Sequence, residues 1–325
     1  MKNLFKFLKV AFFIVAIILL FNILKNGFNS NDLKVLIAKA DYSFLFLSII
    51  VTGLGLVLKG KRLQILANQF EIKNSLIESI RIQLISITFA LITPGRAGEF
   101  TKVFLLAKDK KNLLPSSTMI AIFERLIDFL MLTFMSLLLC FFSLNDPKLT
   151  ILLAIAFIGF AGSILALFKI ELFLDKLDQH IPKKIKDFLH YFIEHKTKLL
   201  DKLMVVIVYT VVIWCFDGFF QWTILKSVGS ENPIIMIIGI NAIVSIMSIL
   251  TILPMGLGTV DFSALFLYDT LLHVQKEKIV FLLGSARLVV ILTLMLMLLP
   301  TLIFQKEFLT KLYRETLKRK IIEEK

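Results

Sequence analysis

What most restricts this chain is a succession of apolar runs long enough to cross a lipid bilayer. Phe7–Leu24, Tyr42–Leu58, Ser117–Leu144, Leu149–Phe168, Leu203–Leu225 and Glu277–Phe304 each read as one helical span, since about 20 apolar residues cover the roughly 30 Å hydrocarbon layer. The runs are continuous rather than alternating, which excludes a β-barrel. Of 325 residues, 58% are hydrophobic and 31 are Phe, more apolar surface than a soluble core of this size can hide. The fold class is therefore all-α: a polytopic integral membrane helical bundle forming one membrane domain, residues 1–325, and not a soluble enzyme. Lys2, Lys6 and Lys9 precede the first run as they do in a signal peptide. Its apolar stretch is too long for one, and no small-x-small cleavage site follows before Asn29. It is expected to be a retained span.

Two further regions, Ser75–Ala107 and Asn232–His273, each read as a pair of apolar helical stretches broken in the middle. The breaks are Thr93-Pro94-Gly95-Arg96-Ala97-Gly98-Glu99 and Leu253-Pro254-Met255-Gly256-Leu257-Gly258-Thr259-Val260-Asp261. Pro94 and Pro254 each remove a helical hydrogen bond, and the glycines permit backbone shapes that other residues avoid. Such a break is tolerated at membrane depth only where protein or a water-filled cavity shields the freed backbone groups. Each region is thus expected to be a re-entrant hairpin or a discontinuous helix pair. The alternative is a short surface loop between two ordinary spans.

The breaks resemble each other. Pro94 and Pro254 are separated by the same length of chain as Gly98 and Gly258, and an acidic residue, Glu99 or Asp261, follows each. Downstream, Glu124-Arg125-Leu126 matches Ala286-Arg287-Leu288 at nearly the same separation. The N-terminus, a Lys59-Gly60-Lys61-Arg62 turn, the Lys108/Lys110/Lys111 cluster, Lys169–Lys202 and the Lys306–Lys320 tail satisfy the positive-inside rule if all are cytoplasmic. Lys25, Lys34 and Lys39 are then exceptions on the outside. With both termini in the cytoplasm of a cell-membrane protein, the first hairpin starts and ends inside and the second outside. The expected layout is N-terminal spans (1–74), a first repeat (75–168), a cytoplasmic connector (169–202), an inverted second repeat (203–304) and a basic tail (305–325). Inverted repeats with broken helices are an architecture of secondary transporters.

The formal charge of +13 does not indicate nucleic acid, because the lysines flank the spans and serve topology and anionic lipid headgroups. Connector residues Leu172, Phe173, Leu177, Ile185, Phe188, Phe192 and Leu199 among lysines suit a helix on the inner leaflet, or a plain link between halves. Cys140 and Cys215 lie in apolar helices and suggest neither a disulfide framework nor a metal site. A phosphate-binding G-x-x-x-x-G-K-[ST] loop does not occur, and no cofactor is expected.

Ionisable residues inside spans cost on the order of 2.5–3.5 kcal/mol each and so need a partner or a task. Here they are Glu78, Arg81, Arg96, Glu99, Glu124, Arg125, Asp128, Asp217, Asp261 and Arg287. Helical spacing places Glu124, Arg125 and Asp128 on one stripe. Two readings stand side by side. The stripe belongs to a buried ion-pair network with the hairpin, for example Asp128 with Arg96. Or Arg96, Arg125 and Arg287 hold an anionic headgroup, for which guanidinium's fork of donors is suited. The helix N-termini after the breaks would add N–H groups, and Glu99, Glu124, Asp128 and Asp261 would orient the arginines or titrate. Asp217, between Trp214 and Gln221, reads as a packing or cavity residue.

Pro94-Gly95-Arg96-Ala97-Gly98-Glu99, Glu124-Arg125-Leu126-Ile127-Asp128, Leu253-Pro254-Met255-Gly256-Leu257-Gly258-Thr259 and Arg287 together resemble the lysylphosphatidylglycerol synthase transmembrane family, whose members are also termed flippase-like. The resemblance runs from about Tyr42 to Phe304. It implies a membrane region that moves a lipid between leaflets, joined in its best-known relatives to a cytoplasmic aminoacyltransferase. Only a short basic tail follows Phe304, so that enzymatic half is not expected. The family's acidic residue directly follows Gly-Thr, whereas here Val260 intervenes before Asp261. The expected partners are membrane lipids, an anionic phospholipid or a polyprenyl-phosphate-linked lipid. A second copy of the chain or a partner synthase or glycosyltransferase is the further expectation. The competing reading is a membrane subunit or enzyme acting with a glycosyltransferase on lipid-linked substrates.

Overall fold

The computed structural model describes residues 30–108, 110–141, 147–169, 171, 182–250 and 254–303. The first expected span, connector residues Leu172, Phe173 and Leu177, and the basic tail lie outside them. The described residues form eleven α-helices and no strand. In chain order these are α1 (Ser30–Lys39), α2 (Tyr42–Gln69), α3 (Leu76–Ile92), α4 (Thr101–Ala107), α5 (Leu114–Leu139), α6 (Pro147–Phe168), α7 (Lys183–Leu200), α8 (Leu203–Ser227), α9 (Ile234–Leu250), α10 (Thr259–Leu272) and α11 (Lys276–Ile303).

Local signals set several helix starts. Asp41 precedes α2, and its carboxylate accepts from the Ser43 N–H at 2.9 Å. Ser75 precedes α3, and its hydroxyl accepts from the Glu78 N–H at 3.1 Å, the serine half of a Ser-x-x-Glu cap. α2, α8 and α11 are long and apolar enough to cross a membrane. Ile151, Leu152, Ile155 and Ile158 of α6 are exposed, as are Leu288, Leu292, Met295 and Leu299 of α11. A bilayer would cover such faces; water would not tolerate them over so large an area.

The largest difference from the expected boundaries is at the end of α2, while α5 starts at Leu114 rather than Ser117. α2 does not end at Leu58: it runs unbroken through Lys59-Gly60-Lys61-Arg62 to Gln69. Apolar residues resume at helical spacing, with Leu63, Leu66 and Ala67 fully buried, and no proline or turn residue stops the helix. The basic stretch is therefore helical wall rather than a loop.

α2 packs along α8, α3 against α2, and α9 against α8 and α5. Glycine permits two close crossings. A Cβ on Gly60 of α2 would lie 2.7 Å from Ile80 Cα of α3, and one on Gly218 of α8 would lie 2.7 Å from Ile238 Cα of α9. Small residues at such crossings let backbones approach without lipid between them. The crossings are equivalent in register, since Gly60 precedes Gly218 by the same length of chain as Ile80 precedes Ile238. α7 packs on α5 and α2, with Phe192 and Leu199 buried and Phe188 packed against the core; Ile185 is exposed. This half of the connector is docked on the protein.

Both Pro/Gly segments interrupt their helices. Pro94–Phe100 and Pro254–Gly256 form short 3-10 turns. In the first, Gly95 (φ 57°) and Arg96 (φ 54°) are left-handed; in the second, Met255 (φ 55°) and Gly256 (φ 69°) are. Each left-handed pair directly follows the proline of its break, so the pairs recur in the same register as the prolines. The two breaks pack on each other, the first also on α9 and the second on α3, so each hairpin holds the other's interruption.

Candidate functional site: a cavity between two broken hairpins

Where the breaks meet lies a cavity of about 250 Å³. Thr93 and Arg96 come from the first break, Met255 and Gly256 from the second, and Arg287 from α11. Lys59 of α2 and Asp217 of α8 complete its charged lining. The rest is mixed, with Gln221, Asn241, Ser245, Ser248 and Tyr268 among aliphatic side chains. A pocket with a few convergent polar groups on largely apolar walls is what a ligand site requires.

Arg96 is a non-glycine residue in left-handed backbone, which costs about 1–2 kcal/mol. That conformation brings its guanidinium into the cavity lining, with Nη2 2.9 Å from Glu99 Oε1. The other Glu99 oxygen meets Arg125 Nη2. Glu99 is 3% exposed, so it ties the first break to α5 from behind the cavity wall. At the second break, Arg287 Nη2 lies 2.5 Å from Asp261 Oδ1, and Asp261 Oδ2 accepts from the Gly258 N–H at 3.0 Å. Asp261 thus caps the start of α10 while pairing with the arginine. Asp261→Ala is expected to lower stability by about 2 kcal/mol, from the lost cap and the lost charged hydrogen bond. Thermal unfolding in detergent reads this, with the exposed Asp269→Ala as the unaffected control.

The α5 stripe is an ion-pair network, with a different partner from the one expected. Asp128 does not pair with Arg96 among the described residues. Arg62 of α2 takes that place, donating from Nη1 to Asp128 Oδ1 at 2.7 Å, from Nη2 to Oδ2 at 3.2 Å and from Nε to Glu124 Oε1 at 3.2 Å. Its Nη1 also donates to Thr210 Oγ1 at 2.7 Å, and Trp214 Nε1 donates to Asp128 at 3.2 Å. The second Glu124 oxygen accepts from Lys102 Nζ at 2.9 Å. Arg125 Nη2 approaches Asp128 Oδ2 at 3.8 Å. Arg62, Lys102, Glu124 and Asp128 are all nearly inaccessible.

Of the residues singled out in the sequence, Arg96 and Arg287 line the cavity, and Glu99, Glu124, Arg125, Asp128 and Asp261 stand behind it in ion pairs. Asp217 lines it and accepts from Asn241 Nδ2 at 3.0 Å. Glu78 pairs with Lys108 at 3.0 Å. Sequence reasoning does not single out Arg62, Lys102 or Lys59. The available signal is one of charge balance: the Glu124-Arg125-Asp128 stripe carries two carboxylates and one cation, so another buried cation has to come from elsewhere.

Long apolar helices, interrupted hairpins and a charged cavity among them define a multi-pass helical membrane protein. The sequence profile of the family described as the lysylphosphatidylglycerol synthase TM region matches residues 6–299, and the chain belongs to that family. No curated protein and no solved structure matches it.

Proposed function

We propose that the protein moves an anionic lipid between the leaflets of a cell membrane, the headgroup passing through the cavity between the two breaks. The observation that carries this reading is that both breaks contribute to one cavity, with Arg96 and Arg287 in its wall. Guanidinium matches a phosphate with paired donors. The breaks supply irregular backbone only where it lines a cavity, as in transporters that alternate access around a central site. The left-handed pairs and the glycine crossings both recur at nearly one separation along the chain, which supports an inverted repeat as the basis of that alternation. In this reading Glu99 and Asp261 hold the two arginines, and Arg125 braces Glu99.

The test is reconstitution in vesicles carrying fluorescent phosphatidylglycerol in both leaflets, followed by an impermeant quencher. Wild-type protein is expected to leave well under half of the fluorescence protected. Arg96→Gln and Arg125→Ala should each return protection towards half, with unchanged insertion. Normal translocation by both variants would remove the arginines from the mechanism. Protection near half for wild type would turn attention to lipid-linked substrates handled with a partner enzyme.

A further inference from the structure

Each arginine of the cavity wall is paired on its own side of the molecule, Arg96 with Glu99 inside the first break and Arg287 of α11 with Asp261 of α10. Lys59 of α2 and Asp217 of α8 line the same cavity, and among the described residues neither makes an ion pair. The Lys59 ammonium lies 5.6 Å from the centre of the Trp214 ring, a cation–π approach. Asp217 accepts from the neutral Asn241. Ionisable groups at membrane depth need a partner or a task, and these two carry opposite charges.

Their positions match. Each directly precedes the glycine of its helix crossing, so Lys59 precedes Asp217 by the same length of chain as Gly60 precedes Gly218. α2 packs along α8, and on α8 Trp214 and Asp217 stand at the i and i+3 positions that share a helix face. The lysine therefore has two stations on one face of α8: the indole that it approaches in this structure, and the carboxylate one turn on. A flexible stem ending in a compact ammonium suits such a move. The indole itself is held, its N–H donating to Asp128 at 3.2 Å. A Lys59–Asp217 pair would join α2 to α8 across the cavity, which neither arginine pair does.

Resting on the translocation reading above, we propose that Lys59 and Asp217 are a latch across the cavity, closing it when paired and leaving it open when apart, as they are in this structure. Alternating access needs a contact that exists in one state and not in the other. The arginine pairs do not serve, because each lies on one side of the cavity and travels with that side. The latch works through opposite charge alone, whichever helix carries which sign.

The test is charge reversal in the full-length protein. Lys59→Asp leaves two carboxylates in the cavity wall and Asp217→Lys two ammonium groups, and like charges brought together repel. Each is expected to lower the melting midpoint in detergent by about 5 °C and to return protection towards half in the quencher assay. The exchange Lys59→Asp/Asp217→Lys should recover most of both losses, and recovered translocation supports the latch whatever the melt. Single reversals that translocate normally would overturn the latch and leave the translocation reading standing. So would an exchange that recovers melting alone, which makes the pair a static contact, or one that recovers nothing. If wild type does not translocate, that reading falls and Trp214 decides the latch. In Trp222→Phe protein Trp214 is the single tryptophan, and its emission responds to a cation on the ring. Asp217→Asn keeps Lys59 on the indole and Lys59→Met removes it; Lys59→Met/Asp217→Asn gives the direct effect of the carboxylate. With that effect subtracted, a lysine with two stations places the emission of the unaltered pair between these extremes. Emission equal to either extreme would overturn the latch.

Discussion

Arg62→Met is expected to lower stability by about 3–5 kcal/mol, the usual cost of removing one member of a buried ion-pair network. The reason is what remains. Glu124 and Asp128 stay buried, Asp128 keeping the Trp214 N–H and a 3.8 Å approach from Arg125, and Glu124 keeping Lys102. Three charge-assisted hydrogen bonds and the one to Thr210 disappear together, and methionine offers no donor. The double variant Arg62→Met/Asp128→Asn should recover a large part of the loss, because the uncompensated charge goes with the second change. A different outcome, a melt in detergent close to wild type for Arg62→Met, would mean that the network is not what joins α2 to α5 and α8. The half-exposed Lys108–Glu78 pair gives the contrast: Lys108→Ala is expected to cost about 0.5 kcal/mol, since water screens much of that contact.

The network also shows where reading the sequence succeeds and where it stops. α8 and α11 are legible because a run of apolar residues of membrane-spanning length has few alternatives. The two interruptions are legible because Pro94, Gly95, Pro254 and Gly256 limit what the backbone can do. Arg62 is not, because Lys59-Gly60-Lys61-Arg62 after an apolar run carries the marks of a span end at a cytoplasmic surface. Only the spacing of Leu63, Leu66 and Ala67 argues for continued helix, and even that names no partner. The partner is set by how α2 crosses its neighbours, which depends on the Gly60–Ile80 contact and the long α2–α8 interface. Glu124 and Asp128 announce that they need cations; which cation arrives, from 62 and 66 residues earlier in the chain, is decided by packing. Tyr268 is harder still, since nothing in Ala264-Leu265-Phe266-Leu267-Tyr268 separates it from an ordinary aromatic in an apolar helix. What distinguishes it is a hydroxyl in the cavity wall with no hydrogen-bond partner among the described residues.

Gly98→Ala should be the most damaging single methyl in the first hairpin. A Cβ at this position would lie 2.3 Å from both the carbonyl carbon and oxygen of Phe89 and 2.7 Å from the Ala90 nitrogen. All three are backbone atoms of α3, so no side chain can rotate out of the way; the break has to lift off the helix. Overpacking of this kind costs about 3 kcal/mol at the upper end of its usual range. The displacement also breaks the hydrogen bond from the Gly98 N–H to Thr93 Oγ1 at 2.7 Å, while that hydroxyl still donates to Phe89 O. Gly95→Ala differs in mechanism. Gly95 is exposed with φ 57°, so its alanine meets the left-handed penalty of about 1–2 kcal/mol. Arg96 and Glu99 flank Gly98, and lifting the break moves both. Gly98→Ala protein that still inserts should therefore lose translocation to about the same extent as Arg96→Gln in the quencher assay. If it melts and translocates like wild type, the break does not rest closely on α3, and that contact is not what holds Arg96 at the cavity. If it loses both stability and translocation while Gly95→Ala loses mainly stability, the close approach at Gly98 is what holds Arg96 at the cavity.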